Sequence, residues 1–163
     1  MTDIITLGND VLKEKSDPVL KIDESIENLV ARMTEILEKE KGVGLAAPQI
    51  GEKKRIFITK VPRDILRVFI NPVIVQTSQE LESYEEGCLS IPKVWADVIR
   101  PSAINIQAWD ITGKVFRLNV EGILSRVIQH EFDHLNGILF IDRLNEQQRE
   151  KVLTIYERKN KIK

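Results

Sequence analysis

Apolar residues at Ile26, Leu29, Val30, Met33, Ile36 and Leu37 recur at intervals of three and four, the spacing of one helical face. Asp23 precedes the run with a side chain suited to an N-cap, and Glu24 and Glu27 fall in the first turn, where the helix dipole favours acids. The pattern predicts a helix that packs on the core and carries no chemistry. A second helical run begins near Gly122. Ile123, Val127, His130 and His134 share one side of it, within about 60° on a helical wheel. Leu124, Ile128, Phe132 and Leu135 cover a neighbouring face, so this helix is buried on most sides, and Asn136-Gly137 supplies a left-handed stop. A third helix runs from Asn145 to the end, with a thin apolar seam at Val152, Ile155 and Tyr156.

Between the first two helices the runs are short and β-rich: Arg55 to Thr59, Val68 to Ile70, Val73 to Val75, Ile104 to Trp109 and Val115 to Val120. Alternation is clear at Ile104, Ile106 and Ala108, and Asp110 to Gly113 reads as a hairpin loop. Residues 1–22 read as extended and loop segments, and Lys41 to Gly44 as a tight helix-to-strand connection. Cys88, between Gly87 and Pro92, falls on a loop or a short edge strand. The fold class is α+β: a buried central helix against short, mostly antiparallel sheets, flanked by an N-terminal and a C-terminal helix.

Length and charge narrow the function. With 163 residues the chain is expected to form a single domain, 1–163, large enough for a real core. A net charge of −1 gives no global reason to expect DNA or an anionic membrane as partner. No signal peptide is visible, and no stretch approaches the ~20 apolar residues of a membrane helix. One cysteine excludes an internal disulfide and suits a reducing cytoplasm, the expected location.

The chemistry gathers in Gln129 to Gly137, QHEFDHLNG. His130 and His134 lie one helical turn apart, so two imidazoles can close on one metal ion while Glu131 projects beside it. Alone, HExxH is a weak signal, and a helix that happens to carry two histidines competes with it. The composition sharpens it: the chain has two histidines and one cysteine in all. A site that keeps one position open for water needs three protein ligands, and Cys88, His130 and His134 supply them. Such a centre makes hydroxide available at neutral pH. Glu131 can take the proton and pass it to a leaving amine. The oxyanion needs a donor, for which Gln49 and a backbone N–H beside Cys88 are candidates. The reaction class is metal-assisted hydrolysis of an amide or related acyl bond. Asp133 either orients a ligand histidine, pairs with a base such as Arg100, or is simply exposed.

Three blocks, GVGLAAPQ at 42–49, EGCLS at 86–90 and QHEFDHLNG at 129–137, together resemble the peptide deformylase family. FINP at 69–72 and GILFIDRL at 137–144 extend the similarity across nearly the whole chain, and the C-terminal helix resembles the form common in Gram-negative bacteria. The resemblance implies removal of the formyl group from the N-terminal formyl-methionine of nascent polypeptides, with release of formate. It implies that Cys88, His130 and His134 bind the metal, that Glu131 shuttles the proton, and that Gln49 and the Leu89 N–H hold the oxyanion. Val43, Gly44 and the EGCLS segment, Gly87 included, would pair with an extended substrate. Val43, Ile123 and Val127 would form the methionine pocket, with Arg126 near its rim. The implied metal is ferrous iron, with zinc or nickel also accepted, and the implied partners are N-formyl-methionyl peptides. The basic tail, RKNKIK, suits contact with the ribosome. Trp95 is a departure near the substrate entrance, able to narrow the pocket or only cover it.

Two other readings remain open. A general HExxH peptidase would use a downstream acid or histidine as third ligand, whereas here the third is an upstream cysteine. A structural metal module would want a fourth protein ligand, which no further cysteine or histidine can supply, although an Asp or Glu can.

Overall fold

The computed structural model describes residues 3–160. Helix α1 (Glu24–Glu40) begins where Asp23 accepts a hydrogen bond from the Ile26 N–H at 3.2 Å. All six residues of its predicted stripe are buried. Lys41 ends it in the left-handed region, φ 55°, with its N–H returned to the Leu37 and Glu38 carbonyls.

Seven strands are found among the described residues: β1 (Gly44–Ala46), β2 (Ile56–Thr59), β3 (Arg67–Thr77), β4 (Leu81–Cys88), β5 (Ile91–Pro101), β6 (Ala103–Trp109) and β7 (Val115–Glu121). Five make an antiparallel sheet in the order β1-β2-β3-β6-β7, and β4 and β5 pair as a separate two-stranded sheet. The two short runs expected at 68–70 and 73–75 are one strand with a register shift at Asn71-Pro72. Proline cannot donate to the ladder there, and the Asn71 side chain instead bonds both the N–H and the carbonyl of Val19 at 2.8 Å.

The β4–β5 hairpin is longer than the loop or short edge strand expected around Cys88. Its sequence hides it. Five successive residues of β4, Leu81 to Glu85, are exposed. In β5 the buried residues Ile91, Val94 and Val98 are spaced three and four apart, which mimics a helix. Lys93, at φ 69°, and the register shift between Glu86 and Cys88 curl the hairpin and break the period-two pattern.

Helix α2 (Gly122–Leu135) lies against β1, β2, β6 and β7. Ile128 and Leu135 enter a cluster with Ala46, Phe57, Phe69 and Ile106, in which Phe57 and Phe69 stack at 4.7 Å. Truncating either fully buried ring to alanine should destabilise by about 3–5 kcal/mol. Helix α3 (Glu146–Asn160) packs on β5 through Val152 and Tyr156, with Ile155 partly buried. Lys161 and Lys163 of the basic tail lie outside the described residues. No helix among the described residues is long and apolar enough to cross a membrane.

Candidate active site

The five-stranded sheet and the hairpin meet along α2, and the three metal-ligand candidates converge there. Helix periodicity puts His130 and His134 on one face with ring centroids 5.1 Å apart. The end of β4 brings Cys88 Sγ to 3.4 Å from His134 Nε2. The three ligand atoms all lie within 4.8 Å of one another. Bonds of about 2.0–2.3 Å to a tetrahedral ion separate its donors by roughly 3.3–3.8 Å, so the set closes on a cation with small shifts. His134 Nδ1 and Glu131 Oε1 are buried without a hydrogen-bond partner among the described residues. A thiol and two imidazoles with one position left open fit a divalent transition metal.

Glu86 orients this set, and the sequence reading did not single it out. Its Oε1 accepts from His130 Nδ1 at 2.9 Å, which leaves Nε2 as the ligand atom. The same carboxylate receives Arg100 at 2.7 and 3.0 Å and Arg126 at 2.7 Å. Burial opposes its ionisation, but the hydrogen bonds from His130 and Arg100 win and hold it well below the usual carboxylate range. Strand alternation gives no signal for it, since the register shift falls between Glu86 and Cys88. Asp133 takes one of its three open roles: it accepts from Arg100 at 2.8 Å and from Arg143 at 2.7 and 3.0 Å. Around His130 burial opposes protonation, yet Glu131, Cys88 and Glu86 prevail and raise its pKa well above the ordinary value, so a cation would have to displace the Nε2 proton to bind there. His134 is held well below it by burial and then by His130 and Arg100, so its imidazole stays neutral and free to ligate.

Glu131 is 4 % exposed, and burial pushes its carboxyl up to about 7, against the pull of His130. It lies directly on Gly44, where a Cβ would come within 2.6 Å of Oε2 and 2.8 Å of Val127. The glycine in GVGL is therefore a space for the acid. Gln49 is also buried; its Oε1 accepts from the Ala46 N–H at 2.9 Å, and its Nε2 donates to Ser90 Oγ at 3.1 Å and toward Cys88 Sγ at 3.7 Å.

A cleft of about 710 Å³ opens over these groups. Val43, Gly44, Gln49, Gly87, Leu89, Ile123, Arg126, Val127 and Trp95 all line it. Arg126 is buried, its guanidinium spent on Glu86, the Val98 carbonyl and the Glu82 carbonyl, so it braces the hairpin from inside. Trp95 covers Gly87, whose Cβ would meet the indole Nε1 at 2.5 Å.

Residues 1–150 match the family model for polypeptide deformylase. The chain belongs to the peptide deformylase family. Its activity is the family's metal-dependent hydrolysis, which removes the N-formyl group from newly made polypeptides. A peptide deformylase of Treponema pallidum is 45% identical over 150 residues, covering 92% of each chain. One from Borreliella burgdorferi is 43% identical over 164 residues, covering 99% of this chain and 98% of its own. The crystal structure of peptide deformylase from Ehrlichia chaffeensis superposes with a TM-score of 0.92 at 35% identity, over 98% of this chain and 97% of that one. A second structure of that protein, in complex with actinonin, gives 0.92 at 36%.

Proposed function

We propose that deformylation in this chain is carried by Glu131, Gln49 and Leu89, with Cys88, His130 and His134 holding one divalent cation. The observation that carries this reading is the buried Glu131 carboxylate beside the thiol–imidazole set, with Oε1 unpartnered among the described residues. The cation, when bound, supplies Lewis acidity that favours hydroxide and polarises a carbonyl. Glu131 accepts a proton from the attacking water and returns it to the leaving amine as the C–N bond breaks. The products are formate and a free methionyl amine. Gln49 Nε2 and the Leu89 N–H donate to the carbonyl oxygen as it gains charge. The open edge of β1 at Val43 and Gly44, with Gly87 opposite, receives the peptide as an added strand. Val43, Ile123 and Val127 form the methionine pocket, and Arg126 stiffens its wall.

Ferrous iron is the native occupant in this reading, with zinc or nickel accepted, since a thiolate with two imidazoles suits all three. The chain works as one domain over 1–163 in the cytoplasm, on N-formyl-methionyl nascent peptides. Its basic tail contacts the ribosome, a role that suits Arg158 and the lysines after it.

The test is formate release from a formyl-Met-Ala peptide by protein loaded with iron or zinc. Glu131→Gln should lower kcat by about 10²–10⁴-fold at unchanged metal content. Full activity in that variant would overturn the assignment of the base.

A further inference from the structure

The last turn of α3 reaches back to the cleft. Lys159 Nζ sits 5.8 Å from the centroid of the Trp95 ring and donates to the Lys93 carbonyl at 3.1 Å. Asn160 Nδ2 donates to the Pro92 carbonyl at 3.1 Å and to the Tyr156 carbonyl at 2.9 Å. The bonds to Lys93 and Pro92 tie α3 to the one stretch of β5 that contains a left-handed non-glycine residue, Lys93. Trp95, two residues on, folds across the hairpin onto Gly87, an aromatic filling the place of the missing side chain. More than half of it (58 %) is nevertheless exposed, within the cleft. So large an indole is held on two sides and left bare on the rest.

We propose that Trp95 is a specificity-determining residue for substrate side chains beyond the formyl-methionine, and that Lys159 is the residue that positions it. This rests on the reading above, in which the peptide runs alongside Gly87. A chain extended past Gly87 must pass the indole that covers it. The methionine pocket is built from α2 and Val43, whereas Trp95 stands on the hairpin, so it meets a later residue. A flat apolar surface with Lys159 over the ring and an exposed Lys93 beside it favours a large aromatic or aliphatic side chain and disfavours a basic one.

The experiment compares kcat/KM for formyl-Met-X-Ala and formyl-Met-Ala-X peptides with X as Phe, Ser or Lys. In at least one series Phe should exceed Lys by about 3- to 10-fold. Trp95→Ala should bring that ratio close to one, and Trp95→Phe should restore part of it. Lys159→Ala should lower the ratio about 2-fold. Because the chain has two tryptophans, a Trp109→Phe background leaves Trp95 as the sole indole emitter. Lys159→Ala should then shift its emission. A Phe-to-Lys ratio that is flat in the wild type, or that survives Trp95→Ala, overturns the specificity role. A ratio and emission untouched by Lys159→Ala overturn the positioning role. Absence of formate from every peptide, at full metal occupancy, would instead sink the proposed function itself.

Discussion

His130 donates its Nδ1 proton to Glu86 Oε1 at 2.9 Å, and that carboxylate is itself fixed by two buried arginines, Arg100 and Arg126. The ring is thereby locked in one tautomer and one orientation. Glu86→Gln keeps the shape but turns a strong acceptor into a weak one and takes the carboxylate charge from beside two guanidiniums, leaving Arg100 with Asp133 and Arg126 with backbone carbonyls. Metal affinity, measured by competition with a chelator, should fall about 10–100-fold. Glu86→Ala should in addition cost about 3–5 kcal/mol of stability in urea, because buried charges lose their partner.

Stability should fall in acid partly through the same residue. Glu86 has a folded-state pKa below its ordinary value of 4.5, so the unfolded chain binds the proton more readily. The stabilisation is present above about pH 4.5 and is lost progressively as the pH drops from there toward the folded-state value. Urea midpoints measured between pH 3 and 6, in about half-unit steps, should slope less steeply in Glu86→Gln.

Gly44→Ala should separate the acid from its space. The added methyl would overlap Glu131 Oε2 and Val127, both on the helix that also carries the two histidines. We expect kcat/KM to fall at least about 10-fold, in line with displacement of a reacting group by around an ångström, with metal content preserved. A Gly44→Ala protein with unchanged kcat would mean that Glu131 does not need its observed position.

Gln49 has two ends with two tasks. Its amide nitrogen faces Cys88 and Ser90, while its oxygen satisfies the buried Ala46 N–H. Gln49→Leu should therefore lower kcat by about 10²–10³-fold with little change in KM. It should also destabilise by about 1–3 kcal/mol as Ala46 loses its acceptor. Kinetics and a urea melt on one sample would read both.

The helices were legible because their apolar positions recur at a regular spacing, and the same regularity placed His130 and His134 together. Strands β2, β6 and β7 were legible from β-rich runs and the Asp110–Gly113 turn, in which the Asp110 side chain accepts from the Thr112 and Lys114 N–H groups. The hairpin was not, since a curled two-stranded ribbon with one wet face has no clean period. Cys88 was found by scarcity of ligands rather than by its element. Glu86 escaped because a carboxylate in an acidic run looks solvated until the two arginines that bury it are placed, 14 and 40 residues away. Trp95 stands out in the sequence by its bulk near the entrance, but its seat on Gly87 depends on a register shift that no local pattern announces.

The hairpin forms its own sheet, and its ties to the body include the Arg126–Glu86–Arg100–Asp133 ion pairs, the Gln49 bond to Ser90 and the packing of α3. Separate apolar clusters thus meet near the cleft, those of the five-stranded sheet and one that packs Ile91, Val94 and Val98 of β5 against Val152 and Tyr156 of α3. Cys88 stands on the hairpin and both histidines on α2. A cation bound by all three spans the seam, so amide exchange in β4 and β5 should slow on loading far more than in β2 or β3. The metal that serves the chemistry would then also act as the rivet between the two halves.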